Sequence, residues 1–463
     1  MIEHFRKSVR PCSPFPFACG FVLLAAAMLP PARSQAPAAP QAPVEITLDE
    51  AIKRAQQNEA NYAAAQSASR SAALDRSIAR AGLLPTARLY NQDIYTQPNG
   101  TFAESDEGLT TPNPKFVAND SRPHEYMAQG IAEESLSLAE VAAARRANAA
   151  AAMARAQLEI ARRGLVATVS GLYYGLLAAD HKVEIAQRAN QEAEAFTKIT
   201  TDREQQREAA HADVLKAQLT QQQQGRQLQD AQLAAQTARL DLGVLLFPDP
   251  RTPYTLAPPL AAPPLASFAD IEAAAGNQSP ALKSALANFD AANADVLAAR
   301  GAYLPTLGAN VIYGIDANEF AVNGRTTPSG IQARNLGYST ALTINLPVWD
   351  WLSTEHKVKQ SEIRRDATRV ALTAAQRQMI ADLQSNYAAA QTAQSELASL
   401  DDSVRTAAES LRLTKLRYTD GEATVLEVVD AQNTYVTAQN AREDGYVRYQ
   451  AARAALQTLT GTM

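Results

Sequence analysis

Cysteine, long apolar runs and aromatic residues are all scarce in this chain, and each scarcity excludes something. The two cysteines, Cys12 and Cys19, both lie within the first twenty residues. The rest of the chain therefore has neither disulfides nor thiolate metal ligands, which fits an oxidising compartment without relying on it. No stretch after the first thirty residues approaches 18 continuous apolar positions, so a transmembrane helix is excluded. Any crossing of a membrane would have to be by β-barrel. Aromatics are only 6%, and alanine and glutamine are conspicuous from about residue 140 onward, which suits long helices with small contact residues better than a thick core. The net charge of −5 lacks the basic footprint of a nucleic-acid binder.

The N-terminus is different in character. Arg6, Lys7 and Arg10 precede an apolar run from Phe15 to Leu29, and Ala32-Arg33-Ser34 forms a small-x-small cleavage site. This reads as an export signal over 1–34, with a mature start near Gln35 and a Pro/Ala-rich tail over 35–46. The alternative, an uncleaved anchor, has a run too short and too Pro-interrupted for a good span. A lipid anchor would need a cysteine just after the apolar run, and Cys19 precedes most of it.

What the chain does contain is a duplication. Arg80-Ala-Gly-Leu-Leu-Pro85-Thr86 returns as Arg300-Gly-Ala-Tyr-Leu-Pro305-Thr306, displaced by 220 residues, and Thr47-Leu-Asp-Glu-Ala matches Ser267-Phe-Ala-Asp-Ile. Asp213-Val214-Leu215-Lys216-Ala217-Gln218 aligns with Glu427-Val428-Val429-Asp430-Ala431-Gln432 at a displacement of 214. Three landmarks in the same order define two repeats, 47–247 and 266–463, joined by a Pro-rich linker over 248–265.

Proline placement reads out the architecture. None of the 24 prolines falls between 124 and 247 or after 347. An interior proline breaks a helix, so these stretches, rich in Ala, Gln, Glu, Arg and Leu, are predicted helices. The first repeat is expected to hold helices over 51–82, 140–205 and 211–246, and the second over 268–301, 352–418 and 424–460. In each repeat the two short helices sum to about the long one, which spans about 100 Å at the α-helical rise. A rod that long needs lateral neighbours, hence a coiled-coil wall. Tyr418-Thr-Asp-Gly421-Glu-Ala-Thr424 supplies the turn in the second repeat; its counterpart, Gln206-Arg-Glu-Ala-Ala-His211, has no glycine.

Between the first and second helix of each repeat lie two candidate strands, in hairpins at about 84–138 and 303–348. Leu336 to Val348 alternates cleanly, with Leu336, Tyr338, Thr340, Leu342, Ile344, Leu346 and Val348 on one face. Tyr303 to Asp316 alternates more loosely, and Thr86–Thr96 and Glu125–Leu138 poorly. Their lengths fit tilted membrane spans, but four strands cannot close a barrel when the smallest use about eight. Either the barrel is shared between subunits, or the hairpins pack on the helices of a soluble protein.

These features together make the chain resemble the TolC-like outer membrane efflux protein family, over about 47 to 460. The motifs that carry the resemblance are Leu84-Pro85-Thr86, Leu304-Pro305-Thr306, Asn345-Leu346-Pro347-Val348-Trp349-Asp350, and Tyr418-Thr-Asp-Gly421 followed by Glu427-Val-Val-Asp430-Ala431. The resemblance implies a mainly α protein with a membrane β-barrel. Three subunits would contribute four strands each to a twelve-stranded barrel, continued by an α-helical barrel in the periplasm of a Gram-negative type envelope. It implies an adaptor protein and an inner-membrane pump as partners, no cofactor, and export as the function.

The resemblance also assigns residues. Tyr418 matches the family's tyrosine in the constriction at the periplasmic entrance. Glu427 and Asp430 match its paired entrance carboxylates, and Asp213 the aspartate that helps hold the constriction shut. Lys216, aligned with Asp430, would neutralise part of a carboxylate ring, and Gly421 marks the turn at the helix tip. The chain departs from the pattern at Ala423, where the family has a basic residue, at Arg207, where a turn glycine would stand, and at Ser135, in the place of Pro347's counterpart. Glu427 and Asp430, three apart, share a helix face; threefold repetition would make a cation-attracting ring, in which carboxylates raise one another's pKa. The bland alternative is a solvated acidic face.

No catalytic constellation accompanies these features. His124, His181, His211 and His356 are scattered without metal-ligand spacing, and there is no phosphate-binding loop. A non-enzyme is expected. The competing readings are a periplasmic adaptor, which would have one helical hairpin flanked by β-rich domains, and a soluble periplasmic coiled-coil spacer.

Overall fold

A computed structural model describes residues 44–95, 124–258, 265–317, 319–326 and 329–461. The expected export signal, nearly all of the tail, the first loop at 97–123 and part of the linker lie outside the described residues.

The chain begins with a short strand β1 (Val44–Ile46), then α1 (Leu48–Asn58) and α2 (Ala60–Ala81), strands β2 (Thr86–Tyr95) and β3 (His124–Leu136), and helices α3 (Leu138–Gln205) and α4 (His211–Leu246). After β4 (Tyr254–Leu256) the order recurs: α5 (Phe268–Gln278), α6 (Pro280–Gly301), β5 (Thr306–Ala317), a small hairpin of β6 (Asn323–Thr326) and β7 (Gln332–Arg334), β8 (Leu336–Asn345), α7 (Ser353–Thr419) and α8 (Val425–Thr460).

Local chemistry explains the boundaries. The 68-residue α3 opens on a reciprocal cap: Ser137 Oγ accepts from Glu140 N at 3.2 Å, and the Glu140 carboxylate accepts from Ser137 N at 2.9 Å. The helices expected over 51–82 and 268–301 are each broken in two. Glu59, in extended conformation, caps α2 with its own carboxylate. Ser279 caps α6, with Pro280 at the first helical position, where a missing N–H costs nothing.

The long helices organise a wall. On one side α3 packs against α2 and α4, which follow one another along its length; on the other it meets α6 and α8, which in turn pack against α7. Small residues line the seams, among them Ala142, Ala149, Ala151, Ala156, Ala390 and Ala393. At the base of the wall a side chain on Gly301 would come within 2.9 Å of Leu138 Cβ, so only glycine allows that approach. Ion pairs stitch neighbouring helices, including Arg146–Asp295 at 3.0 Å, Arg239–Asp180 at 2.8 Å and Lys182–Asp444 at 2.6 Å. Pairs of this exposure hold register more than they add stability.

Halfway along, the buried Arg163 is a tie. Its guanidinium donates to the carbonyls of Thr458 (2.9 Å) and Gln278 (3.2 Å), near the ends of α8 and α5, and to Glu159 (2.7 Å). The side-chain bond from Arg162 is the main cause that holds the Glu159 carboxyl down at about 2, with Arg163 adding to it. Nearby, Tyr173 donates to Ala257 O at 2.6 Å, anchoring the β1–β4 pair over a cluster of Ile46, Val169, Leu176, Leu242 and Leu246.

The four long strands form one antiparallel sheet in the order β2-β3-β5-β8, joining the two hairpins through β3 and β5. The register sorts its faces, because directly paired residues share a side. Leu307 pairs Ile344, Ala309 pairs Leu342, Tyr313 pairs Tyr338 and Ile315 pairs Leu336, giving an apolar face. On β3 that face carries Ala128, Gly130, Ala132 and Leu136, and on β2 Ala87 and Leu89. The exceptions are Asn91 and Asp93 on β2, opposite Ala128 and Tyr126, Thr340 on β8, opposite Val311, and Glu134, opposite Ala309, whose carboxylate oxygens are buried without a hydrogen-bond partner among the described residues. The other face is mixed: Arg88 lies 3.5 Å from Glu133 and Gln129 bonds Asp316, while Ile131 pairs with Ile312 among them.

Sheet and wall end on the same two columns. β2 and β8 have no outer partner among the described residues, and neither do α2/α4 or α7. Those helices expose Leu74, Ile78, Leu215, Leu219, Leu233 and Val244 on one edge, and Ile363, Val370 and Ile380 on the other.

Candidate functional site

The residues singled out in the sequence gather where α3 turns into α4 and α7 into α8. Both turns have the same backbone construction. At the end of α7, Gly421 adopts φ 82°, its N–H bonds Tyr418 O at 3.2 Å, and Glu422 N bonds Arg417 O at 2.8 Å. At the end of α3, Arg207 adopts φ 66°, with Arg207 N to Glu204 O and Glu208 N to Arg203 O both at 2.8 Å. These are two Schellman caps, one built with arginine in the left-handed position that glycine fills without strain.

Tyr418 is buried, with only 6% of its surface exposed, among Phe196, Ala217, Val425, Val428 and Val429. Its ring lies 5.2 Å from that of Phe196. Across the seam Arg203 covers the other side of the ring, its guanidinium carbon 4.8 Å from the centroid. The same guanidinium donates to the carbonyls of Tyr418 (2.9 Å) and Thr419 (2.7 Å), two of the open acceptors at the end of α7. One side chain from the first hairpin thus closes the end of the second.

The acidic residues divide into tied and free. Glu427 completes a capping box with Thr424, accepting from its backbone N–H (3.2 Å) and hydroxyl (3.1 Å), and its other oxygen lies 3.6 Å from Arg417. The Thr424 backbone and hydroxyl bonds, aided by Arg417, hold the Glu427 carboxyl below the usual carboxylate range, so within one protomer it moves opposite to the rise expected of crowded carboxylates. Asp430 is exposed on the same helix face and, among the described residues, has no hydrogen bond or ion pair. In the first hairpin Asp213 is half-buried in the first turn of α4 and Lys216 is exposed, while Val214 and Ala217 face the packed side. Ala423 packs against the Tyr418 cluster.

Two basic residues escaped the sequence reading. Arg203 and Arg417 stand four positions before Arg207 and Gly421 respectively, and they are separated by the same 214 residues that relate Asp213 to Glu427. That spacing was the available signal. Arg417 partners Glu427 from before the turn, where a basic residue at Ala423 would have done so from after it. Just above, Lys415 pairs with Glu192 at 2.7 Å, a second link between the hairpins. In the first turn, His211 Nδ1 lies 2.7 Å from the Glu204 carboxylate.

This arrangement of sheet, wall and tips is shared with known proteins. The family model for outer membrane efflux proteins matches residues 273–462, from α5 to the end of α8. Over that stretch, the second repeat, the chain is similar to outer membrane efflux proteins. Its fold is that of the solved channels: the Campylobacter jejuni CmeC outer membrane channel superposes with a TM-score of 0.73 at 15% identity, over 89% of this chain and 85% of that one. The outer membrane protein VceC of Vibrio cholerae gives 0.71 at 17% identity, over 89% and 96%. In sequence, the chain is 28% identical to Protein CyaE of Bordetella pertussis over 259 residues, 51% of this chain. It spans about half, 52%, of the length of that curated relative. Among the described residues, no helix is long and apolar enough to cross a membrane.

Proposed function

We propose that this protein is the outer-membrane exit duct of a tripartite efflux or type I secretion system, built from three copies. The observation that carries the reading is the coincidence of open edges: the sheet ends in β2 and β8, and the wall ends in α2/α4 and α7, with no outer partner among the described residues and with apolar side chains exposed along the helices. Unpaired strand edges are not tolerated in lipid, so a sheet that enters a bilayer must close on itself. One copy supplies four strands; three supply twelve, within the range of membrane barrels. In that assembly the apolar sheet face meets lipid, the mixed face lines the lumen, and the helical wall continues the duct into the periplasm.

The tips would then form the periplasmic entrance. Threefold repetition brings three Asp430 and three Glu427 side chains around one opening, with Asp213, Lys216 and the buried Tyr418 joint behind them. The partners would be a periplasmic adaptor and an inner-membrane pump. Against the adaptor and spacer readings stand the second hairpin and a sheet with one apolar face.

Planar-bilayer recording tests the reading. Purified protein should insert as discrete conductance steps and migrate faster on gels before heating than after. A protein that stays in solution, gives no conductance and shows no heat-modifiable band would contradict it.

A further inference from the structure

Alanines line much of the wall, but one level between the two helical hairpins is polar and hollow. About two to three turns into α8, side chains from four helices surround a cavity of about 60 Å³. Ile185, Arg188 and Glu192 come from α3, Gln224 from α4, Leu411 from α7, and Gln432 and Tyr435 from α8.

Two of these side chains are buried polar groups with a partner missing. Gln224 is 3% exposed and Gln432 7%. Gln224 Nε2 donates to Asn433 Oδ1 at 3.2 Å, tying α4 to α8. Its Oε1 has no hydrogen-bond partner among the described residues, and neither has Gln432 Nε2. An amide buried in this way gives up the water it had in the unfolded chain, and folded interiors seldom leave that loss unmet.

The mismatch selects the occupant, which must donate to an oxygen and accept from an N–H. An anion would meet Gln432 but face the Gln224 oxygen and the Glu192 carboxylate. A cation would meet Gln224 but face the Gln432 N–H and the Arg188 guanidinium. An apolar molecule would leave both amides unmet. Water both donates and accepts. It also fits: a buried water needs about 10–15 Å³ of cavity and occupies about 30 Å³ in the liquid, so the space admits about two to four.

We infer that this cavity is a binding site for a small water cluster that bridges Gln224 Oε1 to Gln432 Nε2 and so joins the first helical hairpin to the second behind their tips. Such a level is a wet joint. Its bonds exchange for bonds to bulk water when the hairpins part, whereas the alanine seams are held by apolar contact.

A map of the full-length, detergent-solubilised protein at a resolution that shows ordered water tests the site. Ordered peaks linking Gln224 to Gln432, at hydrogen-bond distance from each, are the expected result. A featureless cavity, the two amides bonded to one another, or the continuous density of an organic molecule would overturn it. A mutant cycle gives an independent reading. Gln224→Leu and Gln432→Leu should each lower the unfolding temperature, since each takes one partner from the waters, and the double variant should lower it by clearly less than the sum. Additive shifts would show that nothing joins the two side chains and would overturn the bridge.

Discussion

Replacing Arg203 with alanine tests how the two helical hairpins are fastened at their tips. The side chain makes two bonds to the open carbonyls of α7, at 2.9 and 2.7 Å, and covers the Tyr418 ring. Bonds from a charged donor contribute about 1.5–3 kcal/mol each where water is excluded. Arg203 is half-exposed and the freed carbonyls can turn to water, so the low end for the pair is appropriate, with about 0.5 kcal/mol more for the ring contact. A loss of about 2 kcal/mol raises the population of a tip with parted hairpins about 30-fold. Hydrogen exchange on the detergent-solubilised protein reads this directly: amides in the last turn of α7 and the first turns of α8 should exchange faster by about that factor. Arg203→Lys keeps the charge but loses the fork and should fall between. Tip protection within about threefold of the wild type, in a particle otherwise folded, would refute the fastening.

Other expectations follow from the same geometry. Tyr418→Phe should be nearly neutral, since the hydroxyl makes no hydrogen bond among the described residues, whereas Tyr418→Ala should cost about 3–5 kcal/mol in thermal or denaturant unfolding by emptying the cluster around Phe196. Arg207→Gly should raise stability by about 1 kcal/mol by relieving the left-handed arginine, measured as an increase in Tm. Because the folded Glu427 carboxyl lies below its ordinary range, its cap contributes stability above the unfolded carboxylate value and loses it as pH falls through the folded one; hydrogen exchange of the α8 N-terminus at acidic pH should show the loss, and Glu427→Gln should remove that dependence. In salt-gradient recordings Asp430→Ala should reduce cation preference more than Glu427→Ala, because Glu427 is committed to Thr424 and Arg417; an unchanged reversal potential in the double variant would retire the carboxylate ring.

Much of this architecture was readable because helices and strands announce themselves by what they exclude. The helices expected within the proline-free stretches, 140–205, 211–246, 352–418 and 424–460, match α3, α4, α7 and α8 to within a residue or two. β8 was legible from its alternation, whereas β3 was not. Its apolar face is built from Ala128, Gly130 and Ala132, too small to register as a hydrophobic period, and only pairing with β5 reveals the side they share. The breaks at Glu59 and Ser279 were missed although Pro280 stood beside one of them; the other rests on a carboxylate cap that resembles any helical glutamate. At the tip, Arg207 hid a turn that glycine would have signalled, and Arg203 acts across a seam between helices far apart in the chain. Contacts of that kind depend on how the hairpins dock, which local pattern does not encode.

Both open edges, of sheet and of wall, need neighbours. Native mass spectrometry of the detergent-extracted protein counts the copies directly. Three copies per particle, persisting until the detergent is exchanged for denaturant, is the predicted result. A single copy, stable and folded in plain buffer with its strand edges free, would contradict it.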